Sequence, residues 1–219
     1  MPMLIGWRGQ SGRHLLEGFD LILKRFFDLF CSGLGLLLLS PAFLIITVLI
    51  KLESNGPIFF RQERVGLNGR LFRIHKFRTM SAGAERNGLQ ITVGPDQRIT
   101  RVGAVLRKYK LDELAQLIDV FVGDMSLVGP RPEVPKYIAC YPEAVRAEVL
   151  SVRPGITDLA SIQFKDENDI LGRSSDPERA YMEEVLPIKQ NYYVEYVRGR
   201  SFLGDLRIII ATFFAVFGR

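Results

Sequence analysis

The sequence predicts an α+β fold, mainly helical, in which an N-terminal re-entrant membrane helix-break-helix leads into a small cytosolic domain with a β-hairpin and interfacial amphipathic helices. Three observations predict it. An apolar stretch runs from Phe26 to Ile50, interrupted at Ser40-Pro41, with Lys24 and Arg25 at its entrance and Lys51, Arg61 and Arg64 at its exit. Two β-prone runs, Ile58 to Val65 and Leu71 to Phe77, flank Gly66-Leu67-Asn68-Gly69, whose Asn-Gly step is a hairpin signal. Residues able to cap helices recur further on, Thr100, Asp112 and Ser201 among them.

Residues 1 to 14 are polar, Gly-rich and basic, and read as a loose arm. A helix from about Leu15 runs into the apolar stretch and stops at Gly56-Pro57. The stretch would cover about 37 Å as a helix, enough to cross a hydrocarbon core of about 30 Å. Pro41, however, has no N–H for the Leu37 carbonyl and divides the run into halves too short to span. A neighbouring Ser hydroxyl is one source of a replacement donor in lipid. Basic flanks at both ends also oppose a single crossing, because the positive-inside bias draws both toward the cytoplasm. A hairpin entering and leaving one leaflet meets all these constraints. A kinked transmembrane helix is the alternative, and the residues alone leave the two open; Asp28 fits either at headgroup depth.

The hairpin would present Arg61, Arg64, Arg73, Lys76 and Arg78 near the membrane. Ser81 to Gln97 is polar without apolar period and reads as a mobile loop. Thr100 caps a helix to about Tyr109, and Asp112 caps another to about Val122. Tyr137 to Leu150 reads as one helix, and the charged, irregular segment Gln163 to Arg179 as a lid or surface insertion. Ser201 caps an apolar helix from Phe202 to Phe217, about 24 Å long and short for a span, expected in the interface or packed on the hairpin.

Lysine and arginine total 29 against 24 acidic residues, and the surplus lies before position 110, beside the apolar run. That placement suits anionic membrane lipids and phosphorylated substrates. No aromatic-interleaved basic strand or recognition helix accompanies it, so no nucleic acid is expected. The apolar run exceeds a signal peptide's core and lacks a cleavage site, so it should stay in the mature protein. Cys31 and Cys140 imply no disulfide framework, and a reducing cytoplasmic face is the natural compartment. His14 and His75 are too isolated for a zinc site; any metal should be a hard, carboxylate-bound ion such as Mg²⁺.

The densest chemical group lies between Arg107 and Arg131. Adjacent carboxylates such as Asp112 and Glu113 can divide two tasks, one attacking while the other holds a cation. Spacing alone equally suits an Asp cap followed by an ordinary first-turn Glu. Arg131, fixed between Pro130 and Pro132, can act as a bidentate phosphate clamp or as a plain loop residue. Lys76-Phe77-Arg78-Thr79 sets two cations and a hydroxyl beside the hairpin, where a solvated strand end is the alternative. There is no Gly-x-x-x-x-Gly-Lys loop, and Gly33-Leu34-Gly35 lacks a third glycine in register, so a bound nucleotide would rely on arginines and metal. Two histidines so placed give no Ser-His-Asp set.

Six blocks in order, Lys24-Arg25 leading to Ser40-Pro41, Phe59 to Gly66, Lys76 to Met80, Leu111 to Leu114, Gly123 to Pro132 and Arg153 to Thr157, together resemble the bacterial sugar transferase family. These monotopic phosphoglycosyl transferases move a sugar 1-phosphate from a UDP-sugar to a polyprenyl phosphate. The resemblance implies that Asp112 is the nucleophile, that Glu113 serves a Mg²⁺ site with it, and that Arg107 and Arg131, with Lys76 and Arg78, bind substrate phosphate. It also implies one leaflet entered through a helix broken at Ser40-Pro41, on the cytoplasmic face of the bacterial inner membrane. One domain over residues 1–219 is expected, divided into a re-entrant helix (15–55), a cytosolic catalytic part (56–200) and an interfacial helix (201–217). UDP-sugar, polyprenyl phosphate and anionic lipids are the partners implied, with a homodimer left open. Lys110 departs from a common small hydroxyl or amide residue, Ala115 from a frequent proline and Asp158 from a frequent glycine, and Ser161 to Arg179 lacks the usual Gln-Val-Asn-Gly-Arg pattern. A non-catalytic basic membrane adaptor and a metal-dependent nucleotide-sugar hydrolase are the competing classes.

Overall fold

The longest apolar run of the chain makes one helix, α1, Gln10–Glu53, in a computed structural model that describes residues 10–81, 96–163 and 167–217. The chain stays helical through the expected break at Ser40-Pro41. The Ser40 hydroxyl donates to the Leu37 carbonyl at 2.8 Å, the acceptor that Pro41 leaves without a partner. The expected N-terminal arm falls outside the described residues up to position 9, and from Gln10 the chain is helical. One side of α1 buries Asp28, Ser32, Ile46 and Ile50, while Phe26, Leu37, Leu38 and Leu44 stand exposed on the other.

Strands β1 (Phe59–Phe60), β2 (Glu63–Val65), β3 (Leu71–Arg73) and β4 (Lys76–Phe77) form the expected hairpin. β1 pairs with β4 and β2 with β3 in one register, from Phe59 opposite Phe77 to Val65 opposite Leu71. Its turn has positive φ at Asn68 (55°) and Gly69 (78°), closed by Arg70 N–H on the Leu67 carbonyl at 3.1 Å, as a primed turn requires. The loop expected at Ser81 to Gln97 lies almost wholly outside the described residues.

Helix α2 (Arg101–Lys108) starts where Thr100 accepts from Gly103 N–H at 2.9 Å, as expected. A Cβ on Gly103 would lie 2.0 Å from the Thr79 carbonyl oxygen, so only glycine lets α2 rest on the chain leaving β4. The next helix differs from expectation: a 3₁₀ helix, Leu111–Gln116, precedes α3, Leu117–Val122. Lys110, not Asp112, holds the cap position, with no side-chain cap bond.

β5 (Ser126–Val128) pairs in parallel with β6 (Gly155–Thr157), a contact that local patterning did not reveal. A Cβ on Gly155 would come within 2.0 Å of Gly129 N, and this close approach fixes the exit of β5 into Pro130-Arg131-Pro132. The single helix expected over Tyr137 to Leu150 is two, α4 (Pro135–Ile138) and α5 (Glu143–Val149), divided before Pro142, which cannot donate to a continuing helix. The supposed lid is also corrected. It forms α6 (Leu159–Gln163), α7 (Glu167–Gly172) and α8 (Pro177–Ala180), and Leu171 is fully buried. A π-helical turn, Tyr181–Val185, then feeds α9, Leu186–Gly199.

Two apolar clusters position the site. Val65, Val134, Tyr137, Leu171, Tyr181 and Tyr193 belong to the larger one, inside the C-terminal body. Ile46 and Ile50 of α1 join Phe77, Leu106 and Ala115 in the second, directly beneath the 3₁₀ helix. α10, Phe202–Phe217, begins where Ser201 Oγ accepts from Gly204 N–H at 3.1 Å. It packs on α1 through Phe202 edge-on to Phe27 at 5.3 Å and through the Lys24–Asp205 ion pair.

Candidate active site

β4 and the 3₁₀ helix face each other across the second cluster and bring Lys76 to both carboxylates of Asp112 and Glu113. Lys76 Nζ lies 3.0 Å from Asp112 Oδ2 and 3.2 Å from Glu113 Oε1. From the loop after β5, Arg131 Nη2 donates to the same Glu113 oxygen at 2.7 Å. Residues far apart in sequence thus form one chain of alternating charge.

Burial alone would push the Glu113 carboxyl up, but the Arg131 guanidinium and the Lys76 ammonium hold it well below the usual carboxylate range. Glu113 in turn raises Arg131 well above its ordinary value against the opposing effect of burial. Asp112 is 2% exposed, and its Oδ1 is buried without a hydrogen-bond partner. Leaving such an oxygen unmet costs about 1–3 kcal/mol unless a ligand or water meets it. The capping alternative for Asp112 fails because Lys110 holds the cap position.

Arg107 reaches the same region from α2: its Nε donates to Thr79 Oγ1 at 2.9 Å. Burial lowers its guanidinium from the ordinary value, while Asp112 and Asp96 work against that shift. Arg78 is placed differently. Its Nη2 donates to the Ser54 carbonyl at 2.6 Å and to the Ser54 hydroxyl at 2.8 Å, tying β4 to the end of α1, while Nε and Nη1 are buried without partners. Lys110 has φ 55°, a left-handed conformation that asparagine tolerates better than lysine.

Residues that the sequence did not assign to the site hold the Arg131 loop from behind. Arg64 Nη1 donates to the Pro132 carbonyl at 2.8 Å, and Val65 N–H to the Glu133 carbonyl at 3.0 Å. Tyr181 hydroxyl donates to Glu133 Oε1 at 2.6 Å, its own ionisation pushed up by burial and by that carboxylate. Asp158 closes the far side: both its oxygens accept from Ser161, at 2.9 Å from N–H and 2.6 Å from Oγ, and its charge acts on Arg131. Only its departure from a frequent glycine signalled it in the sequence.

The profile described as Bacterial sugar transferase matches residues 19–219. The chain is 36% identical over 205 residues to a UDP-glucose:undecaprenyl-phosphate glucose-1-phosphate transferase of Klebsiella pneumoniae, covering 92% of this chain and 42% of that protein. It is 37% identical over 205 residues to a UDP-N-acetylgalactosamine-undecaprenyl-phosphate N-acetylgalactosaminephosphotransferase of Aeromonas hydrophila, covering 93% of this chain and 45% of the relative. An exopolysaccharide production protein, PSS, of Rhizobium leguminosarum bv. phaseoli is 37% identical over 207 residues, with 88% and 94% covered. The chain thus spans under half of the first two relatives and nearly all of the third.

Proposed function

The chain belongs to the bacterial sugar transferase family, and from that premise we propose that it moves a sugar 1-phosphate from a UDP-sugar to undecaprenyl phosphate and releases UMP. The relatives' names supply the substrate classes. One observation carries the mechanism: among the described residues, Asp112 is the buried carboxylate that keeps an oxygen with no partner.

In the first step an Asp112 oxygen attacks the phosphorus that bears the sugar, and the bond from that phosphorus to the oxygen of UMP breaks. Lys76 and Arg131 stand where they offset the repulsion between anion and diphosphate. A phosphate oxygen of the lipid then attacks the aspartyl phosphosugar and frees Asp112, leaving a lipid diphosphate sugar. Asp112, with its unmet oxygen, and Glu113 would be the residues to hold a Mg²⁺ ion; among the described residues no third His, Cys, Asp or Glu joins them. When bound, the ion would neutralise phosphate charge.

Membrane entry from one side rests on the two ends of α1. Arg25 donates to the Val120 and Phe121 carbonyls, at 2.8 and 3.2 Å, and Asp28 accepts from Leu127 N–H at 3.0 Å. At the far end Glu53 accepts from Arg101 and Val102 N–H at 2.7 and 2.9 Å. Between them Leu37, Leu38, Ser40 and Pro41 are exposed. A straight helix from Arg25 to Glu53 would extend about 42 Å, so a crossing would separate anchors that instead hold the same body.

The decisive experiment is intact-mass measurement on enzyme quenched after exposure to UDP-sugar without lipid. The expected result is a sugar phosphate adduct with at most one UMP per site. An adduct persisting in Asp112→Asn, or none in a preparation that turns over with lipid, overturns the mechanism. For topology, Asp20→Cys and Lys51→Cys in a background lacking Cys31 and Cys140 should react alike with an impermeant thiol reagent on inside-out vesicles; opposite accessibility rejects one-sided entry.

A further inference from the structure

At the end of α3 away from Asp112, the hairpin turn, Phe72, Asp124 and Arg153 enclose a cleft of about 390 Å³, with Arg70 at its wall. Arg153 Nε donates to the Gly123 carbonyl at 2.9 Å. That bond aims the guanidinium and leaves both Nη atoms without a protein partner among the described residues. The side chains of Arg70 and Asp124 likewise have no hydrogen-bond or ion-pair partner there. A third guanidinium, Arg25, approaches Gly123 from α1 while holding the carbonyls of Val120 and Phe121. Arg25 and Arg153 meet at the C-terminus of α3, whose carbonyls favour cations there.

The cleft also lies at a border between phases. Phe121 and Val122, 49% and 63% exposed, immediately precede its Gly123 wall, and Leu71, 52% exposed, follows Arg70. A Cβ on Gly33 of α1 would lie 3.2 Å from the Phe121 ring, so the apolar side of α1 that the proposed membrane entry puts in lipid reaches this residue. Two forked guanidiniums at such a border match a phosphate, and the volume exceeds what a phosphate alone fills. Asp124 in the same cleft disfavours a second anion and accepts from a hydrogen-bond donor.

We infer that this cleft binds the headgroup of a membrane glycerophospholipid, its phosphate on Arg70 and Arg153 and its ammonium or hydroxyl donor on Asp124. Choline headgroups, which have no such donor, are disfavoured. The inference rests on the proposed membrane entry, so two measurements are paired. Flotation of the full chain with phospholipid vesicles reads membrane entry alone. Native mass spectrometry of the detergent-released protein, offered equal phosphatidylethanolamine, phosphatidylglycerol and phosphatidylcholine, reads the cleft.

One ethanolamine or glycerol lipid should be retained in preference to the choline lipid. Arg70→Gln, which removes no protein contact, should lower that occupancy about tenfold. Asp124→Ala, which removes the acceptor, should keep binding but lose the discrimination. Equal retention of all three lipids by the wild type, unchanged occupancy in Arg70→Gln, or full displacement by millimolar glycerol 3-phosphate would each overturn the cleft assignment while leaving membrane entry standing. Failure to float would overturn both.

Discussion

Asp112 and Asp205 are buried to nearly the same degree, at 2% and 4% exposure, and each faces a lysine, yet the fold meets their oxygens differently. Asp205 spends both oxygens: Lys24 takes one, and the Tyr196 hydroxyl donates to the other at 2.9 Å. Asp112 gives one oxygen to Lys76 and keeps the other unmet. Asp119 and Asp158 side with Asp205, the first holding His75 through both oxygens and the second Ser161. A carboxylate whose partners are all supplied by the fold is a fastener. One left incomplete at a folding cost is available for chemistry.

Substitutions can break that comparison. The largest effect belongs to Asp112→Asn, which should lower turnover by about a thousandfold or more with little change in thermal stability, because it removes an attacking group rather than a fastener. Arg131→Lys should come next. It keeps the charge but loses the planar fork, so kcat/KM should fall about 10- to 100-fold while a thermal melt shows an intact fold. Asp205→Ala should do the reverse. It leaves Lys24 and the Tyr196 hydroxyl only the Val128 carbonyl to share and should cost about 2–4 kcal/mol of stability by denaturant titration, with turnover per folded molecule unchanged. If Asp205→Ala abolished the phosphosugar adduct in folded protein, the distinction between fastener and nucleophile would collapse.

Acid sharpens the same point at Glu113. Its folded pKa is depressed, so the stability it contributes is present above its unfolded value, about 4.3, and is lost as pH falls through the lower folded value. Melts of the wild type and Glu113→Gln should therefore stay apart from pH 7 down to pH 5 and converge only in stronger acid. The smallest effect is expected at Asp158. Asp158→Asn keeps an acceptor for Ser161 N–H at the start of α6 and should change stability by under about 1 kcal/mol, whereas Asp158→Ala should lose about 1 kcal/mol in the same titration.

Local chemistry made the hairpin and two helix starts legible. Asn68-Gly69 imposed the turn and with it one register for the whole hairpin, and Thr100 and Ser201 cap the helices that follow them. The second half of the molecule resisted because its elements are short and their order comes from distant contacts. Ser126 pairs with Gly155 across a long excursion, and Gln163 to Arg179 looks irregular because its helices are single turns around one buried anchor, Leu171. Pro41 shows the opposite limit: its missing donor was evident, but whether helix survives depended on a Ser40 hydroxyl that the chain happens to place one residue earlier.

By itself the sequence determined the apolar helix and the hairpin, since periodicity and turn chemistry are properties of neighbouring residues, whereas Asp112, Glu113, Lys76, Arg78, Arg107 and Arg131 became candidates through the family resemblance. The tertiary structure alone decided what each charge does. Arg78 is tied to Ser54, Arg131 to Glu113, and Lys76 stands between the two carboxylates. Desolvation and pairing depend on which groups the folded backbone brings within a few ångströms, and no local pattern encodes that distance.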